Sequence, residues 1–294
     1  MVGDVTGRGL ALKAASAGYE VLLRLQNVLS RRPATSDHGP VVSLTSYGHR
    51  LRKVFLTAES IARGTLKPSR LIIWISDPDV LSNPPRSLVR LARRGVELRP
   101  CPDIGPHKKY FPLVMESDDG LDSFVTADDD VYYHARWLST LVAAHRQHPS
   151  QVIALRAREI GVTTRDEIAP YSTWDLAARG ACSARVFPTG VGGVLYPRRV
   201  IQELRAAGDA FLDVAPRADD VWLHMLTLRS GTVARQIASP SRHELIPVRG
   251  AGAQGLWEEN VQSKGNDVQI AATYPPDIVS RIVHTPSEAG GGTA

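Results

Sequence analysis

The sequence predicts an α/β fold with a mostly parallel central sheet flanked by helices, and three observations predict it. Short apolar runs alternate with stretches of helical periodicity through residues 41–160. One run, RLIIWIS at 70–76, is apolar at successive positions, as a strand must be when helices cover both faces of its sheet. Of the 294 residues, 43% are hydrophobic, which is enough for a substantial core.

Taken in order, residues 9–29 suit a helix with Leu10, Ala14, Ala17, Val21, Leu25 and Val28 near one side and Lys13, Arg24 and Arg31 on the other or at its end. Packing of that stripe against the protein is favoured over a membrane-surface role. The polar run RRPATSDHGP at 31–40 is a linker. Residues 1–40 are therefore an N-terminal helix and linker, 41–288 a single domain, and 289–294 a flexible tail. VVSLTSY at 41–47 is rich in β-branched residues and gives a first strand, released by Gly48. Leu51, Val54, Phe55, Ala58, Ile61 and Ala62 then mark a helix over 51–63. The strand at 70–76 ends in the turn Asp77-Pro78-Asp79; Pro84 and Pro85 open a helix carrying Leu88, Val89 and Leu91, Gly95 closes it, and 96–99 form a third strand. SFVTA at 123–127 is a fourth strand, 135–148 a helix with Trp137, Leu138, Leu141 and Val142 inward, and 151–156 a fifth strand. The half at 161–288 is less regular: turns to 188, a strand-like Val194 to Tyr196, a helix around Val200, Ile201 and Leu204, and a helix at 219–229 with Val221, Trp222, Met225, Leu226 and Leu228 buried.

A net charge of +5 and a pI near 9.4 favour anionic ligands, but the basic residues are dispersed, so no specific nucleic-acid partner is expected. Cys101 and Cys182 are too far apart, and too isolated from histidines, for a zinc knuckle or a disulfide framework, and a reducing cytosol is the expected compartment. No apolar run approaches the roughly 18 to 20 residues that cross a bilayer. The sequence contains no GxxxxGK[ST] loop and no N-terminal GxGxxG after a strand, which argues against P-loop ATPases and standard dinucleotide oxidoreductases.

Three charged segments carry the chemistry. Asp128, Asp129 and Asp130 follow the fourth strand, where the carboxyl ends of parallel strands face a ligand crevice. Carboxylates suit Mg²⁺ or Mn²⁺ and leave coordination positions for substrate phosphates. Asp130 is the first candidate for metal, Asp128 for nucleotide contacts as well as metal, and Asp129 for either; the bland reading is a solvated acidic turn. In Asp103-Ile104-Gly105-Pro106-His107-Lys108-Lys109-Tyr110, a tight turn can deliver Lys108 or Lys109 to phosphate, or be a basic surface turn. Asp77 or Asp79 can accept from a base or ribose, or simply build a turn. Ahead of the last long apolar helix, Asp219 and Asp220 supply one cap and one general base, with Asp220 the better base and Asp219 the lesser candidate. Gly190, Gly192 and Gly193 can let backbone approach a ligand or form an ordinary turn, and Trp174 can stack on a ligand or fill the core. Trp257, Asn260, Lys264, Asn266 and Asp267 suit a mobile loop. His284, after a strand-like SRIV, is a further candidate metal ligand, although a structural or surface role is preferred.

Together TADDDVYY, GPHKKY and ADDVW resemble the nucleotide-diphospho-sugar transferases of the GT-A fold, and in particular bacterial glycosyltransferases of capsule or lipopolysaccharide synthesis, over about residues 41–284. The resemblance implies a Rossmann-like nucleotide-sugar-binding half at 41–160 and an acceptor-side half at 161–288. VSLTSYGHR resembles the first strand and nucleotide loop, which implies Thr45, Tyr47 and Arg50 at the nucleotide; Asp77 resembles the base-binding acid, and Asp220 the base of inverting members. DDD satisfies the family's DxD pattern. The resemblance implies a donor such as a UDP-sugar, Mn²⁺ or Mg²⁺, and a glycan or lipid-linked acceptor, which admits peripheral attachment at the inner face of a membrane. A sugar nucleotidyltransferase, a phosphohydrolase or a noncatalytic nucleotide-sugar-binding protein would use the same residues.

Overall fold

The computed structural model describes residues 5–117, 120–238, 246–248 and 265–287, with side chains described from residue 16 onward. The first half runs α1 (Val5–Leu29), β1 (Val41–Thr45), α2 (Val54–Ala62), β2 (Leu71–Ile75), α3 (Pro78–Ser82), α4 (Arg86–Ala92), β3 (Val96–Pro100), α5 (Phe111–Glu116), β4 (Ser123–Ala127), β5 (Val131–Tyr132), α6 (Trp137–Gln147) and β6 (Val152–Ala154). The second half adds β7 (Ala157–Glu159), β8 (Cys182–Ser183), β9 (Val186–Pro188), β10 (Val194–Pro197), α7 (Arg198–Ala207), α8 (Phe211–Val214), α9 (Asp219–Arg229), β11 (Ala234–Gln236), β12 (Ile246–Pro247), α10 (Gly265–Thr273) and α11 (Pro276–Val283).

The central sheet has eight strands in the order β3-β2-β1-β4-β10-β6-β11-β8. β3, β2, β1 and β4 are mutually parallel, while β10 runs antiparallel to both β4 and β6. All five residues of β2 are buried, as a strand covered on both faces requires. Val42, Leu44, Ile73 and Val125 pack with residues of α1, α2, α4 and α6; Val41, Ile72, Trp74 and Phe124 pack with residues of α5, α7, α9, α10 and α11. The α/β class with a largely parallel, helix-flanked sheet is therefore as expected. The chain winds outward from β1 to β3 and returns to β4 on the other side of β1, so the ends of β1 and β4 flank a switch in strand order.

Local departures have physical causes. The expected helix over 51–63 is split into a 3-10 turn, Gly48–Arg52, and α2, with Gly48 at φ 54° making the entry that a side chain would strain. SRIV is the end of α11, not a strand, because Ile278 and Ile282 are spaced to bury one helical face. Asn266 and Asp267 belong to α10 and not to a mobile loop, and Asp267 accepts the Tyr171 N–H at 2.7 Å. Trp257, Asn260, Lys264 and residues 289–294 lie outside the described residues.

The face that α1 buries also differs from expectation. Leu23 and Asn27 are buried, whereas Val21, Leu25 and Val28 of the apolar stripe are exposed. A buried polar network selects the face. Glu59 of α2, fully enclosed, accepts from Arg94 Nη1 at 2.6 Å, Asn27 Nδ2 at 2.9 Å and Gln26 Nε2 at 2.6 Å. Asn27 Oδ1 in turn accepts from Arg90 Nε at 2.8 Å. Turning the stripe inward would take the Gln26 and Asn27 amides from the buried Glu59 carboxylate and the Asn27 acceptor from Arg90, and hydrophobic periodicity does not register that cost. Glu59→Gln removes the charge while keeping the shape, and is expected to lower unfolding stability by about 1.5–3 kcal/mol. Urea unfolding measures it; an unchanged midpoint would show that the network does not anchor α1.

Candidate functional site

Four parallel strands deliver their following loops to one edge of the sheet, and the charged segments gather there. After β4 the triplet divides by strand alternation. Asp129 turns inward: it is 5% exposed, accepts from Ser46 Oγ at 2.5 Å and Arg50 Nη1 at 2.9 Å, and its carbonyl accepts from Thr57 Oγ1 at 2.9 Å. Its oxygens hold the β1 and β4 loops together, the position expected to serve nucleotide or metal being the most enclosed of the three. Asp128 and Asp130 keep their side chains about a quarter exposed, at 25% and 23%. Burial first, and then the neighbouring Asp128 charge, push the Asp130 carboxyl up to about 6 against the pull of Arg50, whose Nη1 is 3.3 Å away.

The turn Gly105–Lys109 separates its two lysines. Lys108 Nζ goes to Asp103 Oδ1 at 2.5 Å and Ser76 Oγ at 3.0 Å, after β3 and β2. Lys109 Nζ reaches across to Asp128 Oδ1 and Asp219 Oδ2, each at 2.9 Å. Burial pulls the Lys109 ammonium down, but Asp128, Asp219 and Asp220 outweigh it and hold the charge in place, well above the ordinary range. His107 between them is structural: buried, stacked on Phe211 at 4.0 Å, with Nε2 donating to the Ala215 carbonyl at 2.7 Å and burial lowering it to about 4.

Asp219 and Asp220 open α9, but neither caps it, because the N-cap is Ala218 without a side-chain bond. The cap reading is thus replaced: Asp219 pairs with Lys109, and the Asp220 carboxylate accepts the Gly190 N–H at 3.2 Å to each oxygen. Burial, then the Asp219 charge, raise the Asp220 carboxyl to about 8 in spite of Lys109. Gly190 is the hub of this arrangement. A Cβ there would stand 3.0 Å from Lys109 Nζ and 3.3 Å from both Asp128 Oδ1 and Asp220 Oδ1, so the missing side chain leaves the space these groups share. Gly193, at φ 83°, serves packing instead, since its Cβ would meet the Trp137 ring at 2.5 Å.

Along the same edge, Tyr47 after β1 is 45% exposed, with Arg50 and Lys108 5.5 and 5.9 Å from its ring. Thr45 Oγ1 donates to the Trp74 carbonyl at 3.0 Å, which fixes the end of β1. Asp77 caps α3, accepting from the N–H groups of Asp79 and Val80, so its turn role is realised. Trp174 is 2% exposed and packs on Tyr171 and Phe187, which settles it as core. His284 is exposed at the end of α11, with Nδ1 on the Ser280 carbonyl at 2.8 Å. It is not brought to the triplet, because the helix holding it packs on the other end of α9, where Arg281 Nη1 reaches the Leu228 carbonyl.

Three residues escaped sequence reasoning. Ser46 holds Asp129. Tyr133, fully buried, takes the Asp128 N–H on its hydroxyl at 2.9 Å and sets the direction of the triplet. Arg156 donates to Thr189 Oγ1 at 2.7 Å, and its charge acts on Asp220, while burial and then Arg158 pull it below the ordinary range. Nothing in the local pattern LRARE marks it.

Among the described residues no group of three or more His, Cys, Asp and Glu side chains is placed to hold a metal ion by itself. Asp128 and Asp130 instead suit a hard divalent ion that completes its shell with water and phosphate oxygens, the usual manner of Mg²⁺. The raised Asp130 carboxyl fits this, because two half-buried carboxylates in mutual repulsion are relieved by a shared cation.

No family model matches the sequence, and no curated protein matches it. Solved structures do resemble it. The chain is similar to a CMP:2-keto-3-deoxy-manno-octonic acid synthetase complexed with CTP, at 13% identity and TM-score 0.44 over 80% of this chain and 98% of that one. It is similar to residues 1–349 of Staphylococcus aureus TarS, at 12% identity and TM-score 0.45, over 69% of this chain and 58% of that one. A third similar structure is the mannosyltransferase PcManGT from Pyrobaculum calidifontis in complex with GDP-Man and Mn²⁺, at 13% identity and TM-score 0.48 over 94% of this chain and 78% of that one.

Proposed function

We propose that this protein is a glycosyltransferase that moves a sugar from a nucleotide-diphospho-sugar to a hydroxyl of a glycan or lipid-linked acceptor, with inversion at the anomeric carbon. The observation that carries the reading is the gathering of Asp128, Lys109 and Asp220 around Gly190 at the switch point of the sheet. A candidate metal ligand, Asp128, and a base candidate with a raised pKa, Asp220, thereby share one small space. The ring of Tyr47 and the Lys108–Asp103 pair at the ends of β1 to β3 form the nucleoside side, with Arg50 and the Asp129 anchor beneath. Asp128 and Asp130 would hold Mn²⁺ or Mg²⁺, which when bound offsets charge on the departing diphosphate.

In the transfer itself, the acceptor oxygen forms a bond to the anomeric carbon as the carbon–phosphate oxygen bond breaks, with its electron pair leaving on the nucleoside diphosphate. Asp220 takes the acceptor proton. Lys109 pairs with Asp219 and Asp128 and holds both in place beside it, and Arg156 brings a guanidinium to the acceptor side.

A panel of UDP-, GDP- and ADP-linked sugars with Mn²⁺ and candidate acceptors tests the reading. Acceptor-dependent release of nucleoside diphosphate, stoichiometric with a glycosidic product, is expected for one donor. Pyrophosphate release from a nucleoside triphosphate and a sugar phosphate would show a nucleotidyltransferase instead, and donor binding without turnover would show a binding protein.

A further inference from the structure

The stripe that α1 leaves outside is concentrated. Val21, Leu22, Leu25, Val28 and Leu29 are 56, 40, 52, 60 and 71% exposed and make up half of the exposed large hydrophobic side chains among the described residues. At helical spacing they fall within roughly 120° of one side. The helix cannot roll to hide them, because Leu23 and the Asn27–Glu59–Arg94 network pin the opposite side.

The border of the stripe is basic. Arg31 and Arg32 are exposed just past the end of α1, Arg63, exposed just after α2, is bonded to Gln26, and Arg24 lies on α1 itself, paired with Glu20. The acids of this region are already matched, Glu20 by Arg24 and Glu59 by Arg94. A second copy meeting the stripe about a two-fold axis would bring like-charged rims together. An anionic surface with an apolar interior matches both the stripe and the rim.

We propose that this side of α1 docks on an anionic lipid surface, with the helix lying in the interface plane, the five aliphatic side chains entering the headgroup–acyl boundary and the arginines meeting lipid phosphates. Among the described residues no helix is long and apolar enough to cross a membrane. The proposal stands whether or not the sheet edge transfers a sugar.

Co-sedimentation of the full chain with vesicles tests it, using phosphatidylcholine alone and phosphatidylcholine mixed with phosphatidylglycerol. The chain is expected to pellet with the anionic vesicles only, and less so in high salt. Leu25→Glu with Val28→Glu is expected to lower the bound fraction at least about tenfold, and Arg31→Ala with Arg32→Ala by roughly fivefold per arginine, with unchanged thermal midpoints because these side chains face solvent. The wild-type arm needs no folded variant. A chain that stays in the supernatant with anionic vesicles overturns the proposal. A concentration-dependent dimer, abolished by the glutamate substitutions, overturns it by assigning the stripe to a second copy.

Discussion

Asp220→Asn is expected to lower the transfer rate about 10²–10⁴-fold, the range of a lost general base, while donor affinity stays within about threefold. The side chain keeps its size and can still accept from the Gly190 N–H, so the loss falls on proton removal and not on the pocket. The pH profile gives a second readout. With the Asp220 carboxyl near 8, kcat/KM of the wild type should climb about tenfold per pH unit at neutral pH and level off above 8. The variant should lack that limb. The same proton couples to stability. The native state holds a proton that the unfolded chain releases near the ordinary carboxylate value of 3.8, so stability conferred below that value declines as pH rises toward 8, and the asparagine variant should lose this dependence. Steady-state kinetics that show equal losses in rate and donor affinity, with the pH limb intact, would remove Asp220 from the base role.

Lys109→Met should be the most damaging change to the fold at this site. The ammonium lies almost wholly buried between Asp128 and Asp219, and its removal leaves the Asp219 carboxylate, 7% exposed, without a counter-charge. Breaking a buried pair by deleting one partner costs about 3–5 kcal/mol, read as the shift in urea unfolding midpoint. Any folded fraction should show its base limb at still higher pH, because Lys109 is what draws the Asp220 proton off. A midpoint close to that of the wild type would mean that the two carboxylates find another partner.

Where a single interaction dominates, the sequence was readable. β2 is a short, uniformly buried run, β4 is buried from Phe124 to Ala127, and α9 follows its apolar positions from Val221 to Leu228. The acidic segments after β4 and before α9 stood out for their charge density. Less visible was what divides neighbouring residues. Lys108 and Lys109 are adjacent and chemically equal, yet a 3-10 turn sends one to Asp103 and the other to Asp128 and Asp219. Alternation within the triplet buries Asp129 against Ser46 and Arg50, which are partners about eighty positions upstream. The orientation of α1 was set by a buried glutamate and not by its apolar stripe, so a hydrophobic reading turned the helix the wrong way. Gly190 was conspicuous, but its meaning lies in three charged groups from three distant segments.

On the proposed function, the partly exposed carboxylates of Asp128 and Asp130 bind a diphosphate through a divalent cation. Calorimetric titration of the protein with UDP and with GDP, in Mn²⁺ and in chelator, tests it most directly. One nucleotide should bind in Mn²⁺ and bind far more weakly in chelator, and Asp130→Asn should erase most of that difference. Equal affinity of the wild-type chain with and without Mn²⁺ would contradict the account.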